Sequence, residues 1–187
     1  MQTFEGVRML YSYLPAAIFR IPTSCGDVYL RVSRTDAMND RRAVVEVDRE
    51  KFFALWWADR SGLHSGQAFG DKASWHADPK FLEAARGLSR GIDNPVPLVE
   101  VNFGHYASKS PAPSSTWQIL RNLLRQPARG TPYVSFTNGV TRTIWLAAYD
   151  APYFPVECRV KEAPKLHKLA GVRGSRWRTV DQLIPKN

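Results

Sequence analysis

The chain opens a readable alternation of apolar and polar residues at Asp27-Val-Tyr-Leu-Arg-Val-Ser33, where every second side chain is hydrophobic, as in a strand buried on one face. Arg42-Ala-Val-Val-Glu-Val-Asp48 repeats the pattern. The period then changes: Phe52, Phe53, Trp56 and Trp57 recur at helical spacing within Arg49 to Ala58 and predict one aromatic core-facing side. Residues 60–78, rich in Gly, Ser, His and Asp, read as a loop. Asp78-Pro79 then reads as an N-cap with proline at the first helical position, and the helix through Phe81, Leu82, Ala85 and Leu88 stops at Gly91. Asn94-Pro-Val-Pro97 leads into Leu98-Val-Glu-Val-Asn-Phe103, a nearly continuous apolar strand interrupted by Glu100. A Ser/Pro linker and a helix over Thr116 to Gln126 follow. Next come a strand at Tyr133–Phe136, a tight turn at Thr137-Asn-Gly139, and a helix from Val140 to Tyr149 with Val140, Ile144 and Ala148 stacked at i, i+4 and i+8. Phe154 to Val160 returns as a strand, so strand, helix and strand fall within a βαβ-sized unit of a mixed sheet. A short helix from Pro164 to Gly171 closes the pattern.

Mixed elements of this kind predict an α+β fold, a small mixed sheet flanked by helices, and 187 residues suit one domain. With 44% hydrophobic and 23% charged residues the chain is neither disordered nor fibrous. No transmembrane segment is expected, because no run approaches the roughly 20 apolar residues that span a bilayer. Val7 to Ile21 is mildly hydrophobic, but the first residues lack the basic start and apolar core of a signal peptide, so a cytoplasmic location is expected. Cys25 and Cys158 read as two buried thiols rather than a disulfide. His64, His76, His105 and His167 show no zinc-binding spacing.

Charge sharpens this picture. The net charge is +9, yet residues 1–100 balance, and residues 101–187 hold the entire surplus with only Asp150, Glu157, Glu162 and Asp181 as acids. Such asymmetry points to a polyanionic partner such as DNA. Two segments carry it. In the inserted basic helix within residues 108–130, Arg121 and Arg125 share a face apart from Trp117, Leu120 and Leu124, with Arg129 beyond them. In the basic C-terminal extension, residues 161–187, Val172-Arg-Gly-Ser-Arg-Trp-Arg178 offers Arg173, Arg176 and Arg178 to a phosphate backbone and the Trp177 indole to a base. The same tail also fits a solvated basic segment with Trp177 folded back on the core.

Candidate chemistry concentrates in Tyr133-Val-Ser-Phe-Thr-Asn-Gly-Val-Thr-Arg-Thr143, a strand passing through a glycine turn into a helix start. Free amides at that start, the positive end of the helix dipole, the hydroxyls of Thr141 and Thr143 and the Arg142 fork together make a phosphate cradle. Gly139 permits close approach of a ligand, and Asn138 suits a cap or a positive φ. Alone, a Gly-x-x-Arg turn equally fits a capped helix with a surface arginine.

The order Pro97-x-x-x-Val101, then Phe136-x-Asn-Gly-x-Thr-Arg142, a small-residue helix and Pro155-Val-Glu-Cys-Arg-Val160 resembles the ParB/sulfiredoxin superfamily over residues 44–160. That resemblance implies ATP, or CTP or another nucleotide, held by its phosphates at Gly139, Thr141 and Arg142, with the preceding helix lending groups from among Lys80, Arg86, Ser89 and Arg90. Val140 and Thr141 stand where sulfiredoxins carry a catalytic cysteine and histidine, which disfavours sulfinic-acid reduction. The 27 residues after Val160 leave no room for the helix-turn-helix domain of partition proteins. The branch most similar is that of the plasmid fertility inhibition factors, the oncogenic suppression (Osa-like) family, for which the resemblance implies ATP hydrolysis and sequence-independent DNA cleavage.

For cleavage, Glu100 is the expected catalytic carboxylate and holder of a Mg²⁺ ion, with Arg142 stabilising charge on the phosphate and Asp48 a second choice. Glu100 fits equally an outward strand residue or an ion-pair partner of Arg142. Three readings of function result: a nucleotide-hydrolysing nuclease that blocks plasmid transfer, a non-catalytic DNA- or nucleotide-binding module, and an inhibitor that binds a conjugation or type IV secretion component, which would bring the protein to the inner membrane. The absence of Asp and Glu between residues 101 and 149 disfavours a two-metal mechanism.

Overall fold

A computed structural model of the chain describes residues 1–35, 38–59, 64–106 and 130–186. It is a single α+β domain with two mixed sheets where one was expected. The first runs β1-β2-β3-β5, from strands Phe4–Leu10, Leu14–Ile21, Val28–Ser33 and Val96–Pro97. The second runs β7-β6-β8-β4-β9, where β4 is Arg42–Asp48, β6 Val99–His105, β7 Pro132–Asn138, β8 Tyr153–Arg159 and β9 Arg178–Thr179.

Period-2 patterning explains β3, whose Val28, Leu30 and Val32 are buried while the intervening residues are partly exposed. The hairpin of β1 and β2 was not anticipated, for a definite reason. Ala17, Phe19 and Ile21 enter the main core whereas Ala16 and Ile18 join a small cluster with Leu10 on the opposite face, so β2 is covered on both sides and shows no alternation.

The second sheet positions the site. β6 lies between β7 and β8, antiparallel to the first and parallel to the second. β7 and β8 therefore run in opposite directions, and the helix joining them, α5 (Val140–Ala148), is not the crossover of a parallel βαβ unit. Helix α1 (Arg49–Trp57) packs its aromatics on this sheet: Phe52 lies 5.3 Å from Phe154, and Trp56 lies 4.6 Å from Phe136 in an edge-on arrangement. Asp48 caps α1, its side chain accepting from the Lys51 amide at 3.0 Å, so it serves the helix rather than the site.

Residues 64–78 are not a plain loop. Within them α2 (Ser65–Ala68) and α3 (Lys72–His76) form, the latter behind a capping box in which Asp71 accepts from the Ser74 amide and the Ser74 hydroxyl oxygen accepts from the Asp71 amide. Indole N–H groups anchor the segment, Trp57 donating to the Ala68 carbonyl and Trp75 to that of Gln67. Helix α4 (Phe81–Leu88) starts two residues later than Pro79 proposed, because Asp78 accepts from the Lys80 amide in a turn of its own. The short helix α6 (Ala163–Ala170) stands as expected, and α7 (Val180–Leu183) follows β9.

Only one cysteine is buried. Cys158 lies within β8, where burial above all, with Glu162 and Glu157 nearby, pushes its thiol up to about 12; Cys25 sits in an exposed turn. On β4 the fully buried Glu46 accepts from the Gln2 and Thr3 amides and the Thr3 hydroxyl, tying down the N-terminus. Replacing Glu46 by alanine orphans these donors and is expected to cost about 1–3 kcal/mol in urea denaturation. A cost below 0.5 kcal/mol would show that the clasp contributes nothing.

Candidate functional site

A cleft of about 650 Å³ opens between α4, the end of β7 and the first turn of α5. Three local features build it. In the pairing of β6 with β7, Glu100 faces Asn138 while Val101 faces Phe136, so Thr137 is the extra residue of a bulge that turns the strand end toward α4. Gly139 then takes φ +95°, and a Cβ there would lie 2.9 Å from Arg142 Nη2 and 3.0 Å from the Val99 Cα. Only glycine fits such a junction. Finally, no side chain caps α5, leaving the amides of its first turn without partners inside the helix.

Arg142 lies at the base of this cradle. Its guanidinium tucks under Gly139, its Nε is buried without a hydrogen-bond partner, and among the described residues it forms no ion pair. Burial pushes the guanidinium below the ordinary arginine range, while the Glu100 carboxylate acts in the opposite sense. Arginine remains charged under such shifts, so the cleft holds a fixed cation whose Nε lacks a hydrogen-bond partner, beside a helix N-terminus.

Of the residues expected here, Asn138, Gly139, Thr141 and Arg142 line the cleft together. Asn138 closes β7, and Gly139, not Asn138, holds the N-cap position. Thr143 is buried and its hydroxyl donates to the Gly139 carbonyl at 3.2 Å, which withdraws it from ligand binding. Arg86 and Arg90 are exposed and do not line the cleft; α4 turns Lys80, Glu83, Ala84 and Gly87 toward it instead, an i, i+3, i+4, i+7 stripe. Glu100 is likewise outside the lining and forms no ion pair with Arg142. The acids that do line the cleft are Asp78 and Glu83, joined by His64, Gln67 and Thr137. Glu83 lies on α4 and the others outside it, and no hydrophobic period says which of them meets a cleft.

In the tail, Arg173, Arg176 and Arg178 are exposed, whereas Trp177 packs partly buried against the core. The folded-back alternative therefore describes the indole, and the arginines stay open to solvent. Arg121, Arg125 and Arg129, with the inserted helix, lie outside the described residues.

The family profile described as Plasmid Fertility inhibition factor matches residues 44–171, more than half of the chain. The chain belongs to the plasmid fertility inhibition factor family. That match spans β4 to the end of α6 and contains the whole cleft. This plasmid fertility inhibition factor is 30% identical over 120 residues to Protein osa of Shigella flexneri, covering 62% of the chain and 49% of that protein. It thus spans about half the length of the curated relative it matches. It also superposes on a crystal structure described as oncogenic suppression activity protein, a plasmid fertility inhibition factor, in a gold(I) cyanide derivative, with a TM-score of 0.66 at 26% identity, covering 90% of this chain and 75% of that one. Among the described residues no helix is long and apolar enough to cross a membrane.

Proposed function

We propose that this plasmid fertility inhibition factor binds the phosphates of a nucleotide, ATP foremost, at the Gly139 cradle, and uses that site together with a DNA-binding tail to restrain plasmid transfer. The observation that carries this reading is Arg142: a partly desolvated guanidinium with a buried, unpartnered Nε, set beside an uncapped helix start in a cleft that also holds Lys80. An anion supplies what these groups lack, since oxygens can accept from the free amides and from the guanidinium fork at once. The resemblance to the ParB/sulfiredoxin superfamily supports the same placement.

Hydrolysis of ATP and sequence-independent cleavage of DNA belong to the same proposal, with Arg142 stabilising the charge that develops on the attacked phosphate. Proton transfer at an attacking water falls to Asp78 or Glu83, which line the cleft, rather than to Glu100, which does not. The residues do not by themselves build a Mg²⁺ site: among those described, no three of His, Cys, Asp or Glu gather where one ion could be held, and Glu100 offers a single carboxylate. This scarcity of ligands favours, as the second reading, a module that binds nucleotide and DNA without turnover. Exposed Arg173, Arg176 and Arg178 would track the DNA backbone, and a cytoplasmic site of action at the transfer apparatus fits both readings.

Titration with ATP and CTP, paired with ATP-hydrolysis and plasmid-nicking assays, tests the proposal. Saturable nucleotide binding is expected, weakened roughly tenfold in Lys80→Ala and unchanged in Arg86→Ala and Arg90→Ala. Binding without hydrolysis or nicking would select the second reading, and absence of binding would overturn both. DNA affinity should fall steeply between low and moderate salt, and a flat response would count against backbone contacts.

A further inference from the structure

A second cleft, of about 600 Å³, lies at the opposite end of α5 between α1 and α3. Its walls are aromatic. Phe53 sits at the centre, 6.5 Å from Trp57 and 5.7 Å from Trp75, and Trp57 is 49% exposed although its neighbours Phe52, Phe53 and Trp56 on α1 are buried. Both indoles are fixed by their N–H bonds to the Ala68 and Gln67 carbonyls, so their ring faces are presented without freedom to turn away.

The rim carries Arg49, Glu50, Asp71, Lys72 and Asp150. Arg49 is paired with Asp150 at 3.6 Å, and the Lys72 ammonium stands 5.8 Å from the centre of the Tyr149 ring. Both cations therefore have partners in the fold, while Glu50 and Asp71 are exposed acids with no cation paired to them among the described residues. Hydrogen bonds from Ser74 hold the Asp71 carboxyl below the usual carboxylate range, so it stays ionised. The negative end of the α5 dipole adds to the same field. On a chain of net charge +9 this cleft carries one more acid than cation, Glu50, Asp71 and Asp150 against Arg49 and Lys72, which suits a cation better than a phosphate.

We infer that this cleft is a docking site for an arginine side chain presented by an extended segment of a partner protein. A guanidinium stacks flat on an indole face and still directs its N–H fork to a carboxylate, which is the combination that Trp57, Trp75, Glu50 and Asp71 provide. The volume admits such a side chain and a neighbouring apolar one.

The experiment uses the full chain labelled with ¹⁵N, reading the indole N–H signals of Trp57 and Trp75 during titration with the tetrapeptide acetyl-Gly-Arg-Leu-Gly-amide and its citrulline counterpart, which keeps the shape and removes the charge. Saturable shifts with the arginine peptide are expected, with roughly tenfold weaker binding of the citrulline peptide. The double variant Glu50→Gln/Asp71→Asn, which preserves a helix cap at position 71, should lose that preference while ATP binding is unchanged. Equal binding of the two peptides, a preference that survives the double variant, or no saturable shift would overturn the assignment.

Discussion

Replacing Arg142 by alanine is expected to reduce nucleotide affinity on the order of a hundredfold while leaving the stability of the fold within about 1 kcal/mol of the parent or slightly above it. The two halves of this expectation have one cause. A buried ion pair, once broken, leaves an uncompensated charge and destabilises; Arg142 makes no ion pair among the described residues and its Nε is buried without a hydrogen-bond partner, so its removal relieves desolvation and gives up only the attraction of the Glu100 carboxylate. On the proposed reading its hydrogen bonds form when an anion arrives, which is how binding sites trade stability for function. Lysine at this position keeps a point charge without the planar fork and should recover only part of the affinity. Parallel ATP titration and urea denaturation of the parent, Arg142→Ala and Arg142→Lys check this. Equal ATP affinity in Arg142→Ala would remove the central support for a phosphate site at Gly139.

The largest loss of stability is expected at Trp56. Its side chain is 1% exposed, stacked edge-on to Phe136 at 4.6 Å and tilted against Phe53 at 5.3 Å. Alanine there removes this contact surface and leaves a cavity between α1 and β7, at a cost of about 3–5 kcal/mol. That is a large share of the roughly 5–15 kcal/mol that holds a domain together. Because Phe136 lines the Gly139 cleft, the cavity opens beneath its wall, and Trp56→Ala should weaken ATP binding as well as fold stability. Phenylalanine, which fills part of the space, should cost less than half as much. The midpoint of urea denaturation and the ATP affinity of the two variants give the comparison; a shift below 1 kcal/mol for Trp56→Ala would show that the α1–β7 contact does not govern stability.

Local pattern carries far in this chain. Strands β3 and β4 follow from alternation, α1 and α5 from helical spacing, and the Phe136 to Arg142 turn from a glycine between a strand and a helix start. These elements are legible because their inner and outer faces differ in polarity. Where both faces are covered, as at Leu14–Ile21, the contrast vanishes and the strand was invisible. Helix α3 was missed for a different reason: its signal is the short-range exchange between Asp71 and Ser74 and the anchoring of Trp75, not a hydrophobic period.

The candidate site divides in the same way. Gly139, Thr141 and Arg142 are adjacent in the chain, so their meeting at one turn is a matter of local geometry. Choosing Lys80 over Arg86 and Arg90 required knowing which side of α4 lies against α5, and two arginines four residues apart specify a shared face without saying where it points. Glu100 stood out as an acid within an apolar strand, yet the bulge at Thr137 and the order of strands put it outside the cleft while Asp78 and Glu83 came in.

By itself, then, the sequence determined the α+β class, the strand–turn–helix that forms the cradle, the aromatic core side of α1 and the one-sided distribution of charge, all of which depend on residues close in the chain or on composition. The tertiary structure alone decided the division into two sheets, the burial of Arg142, the acids that share its cleft and the existence of a second, acid-rimmed cleft at the far end of α5. Those properties arise from packing between segments distant in sequence, where the energy of burial and the direction of a face are set by neighbours that no local period describes.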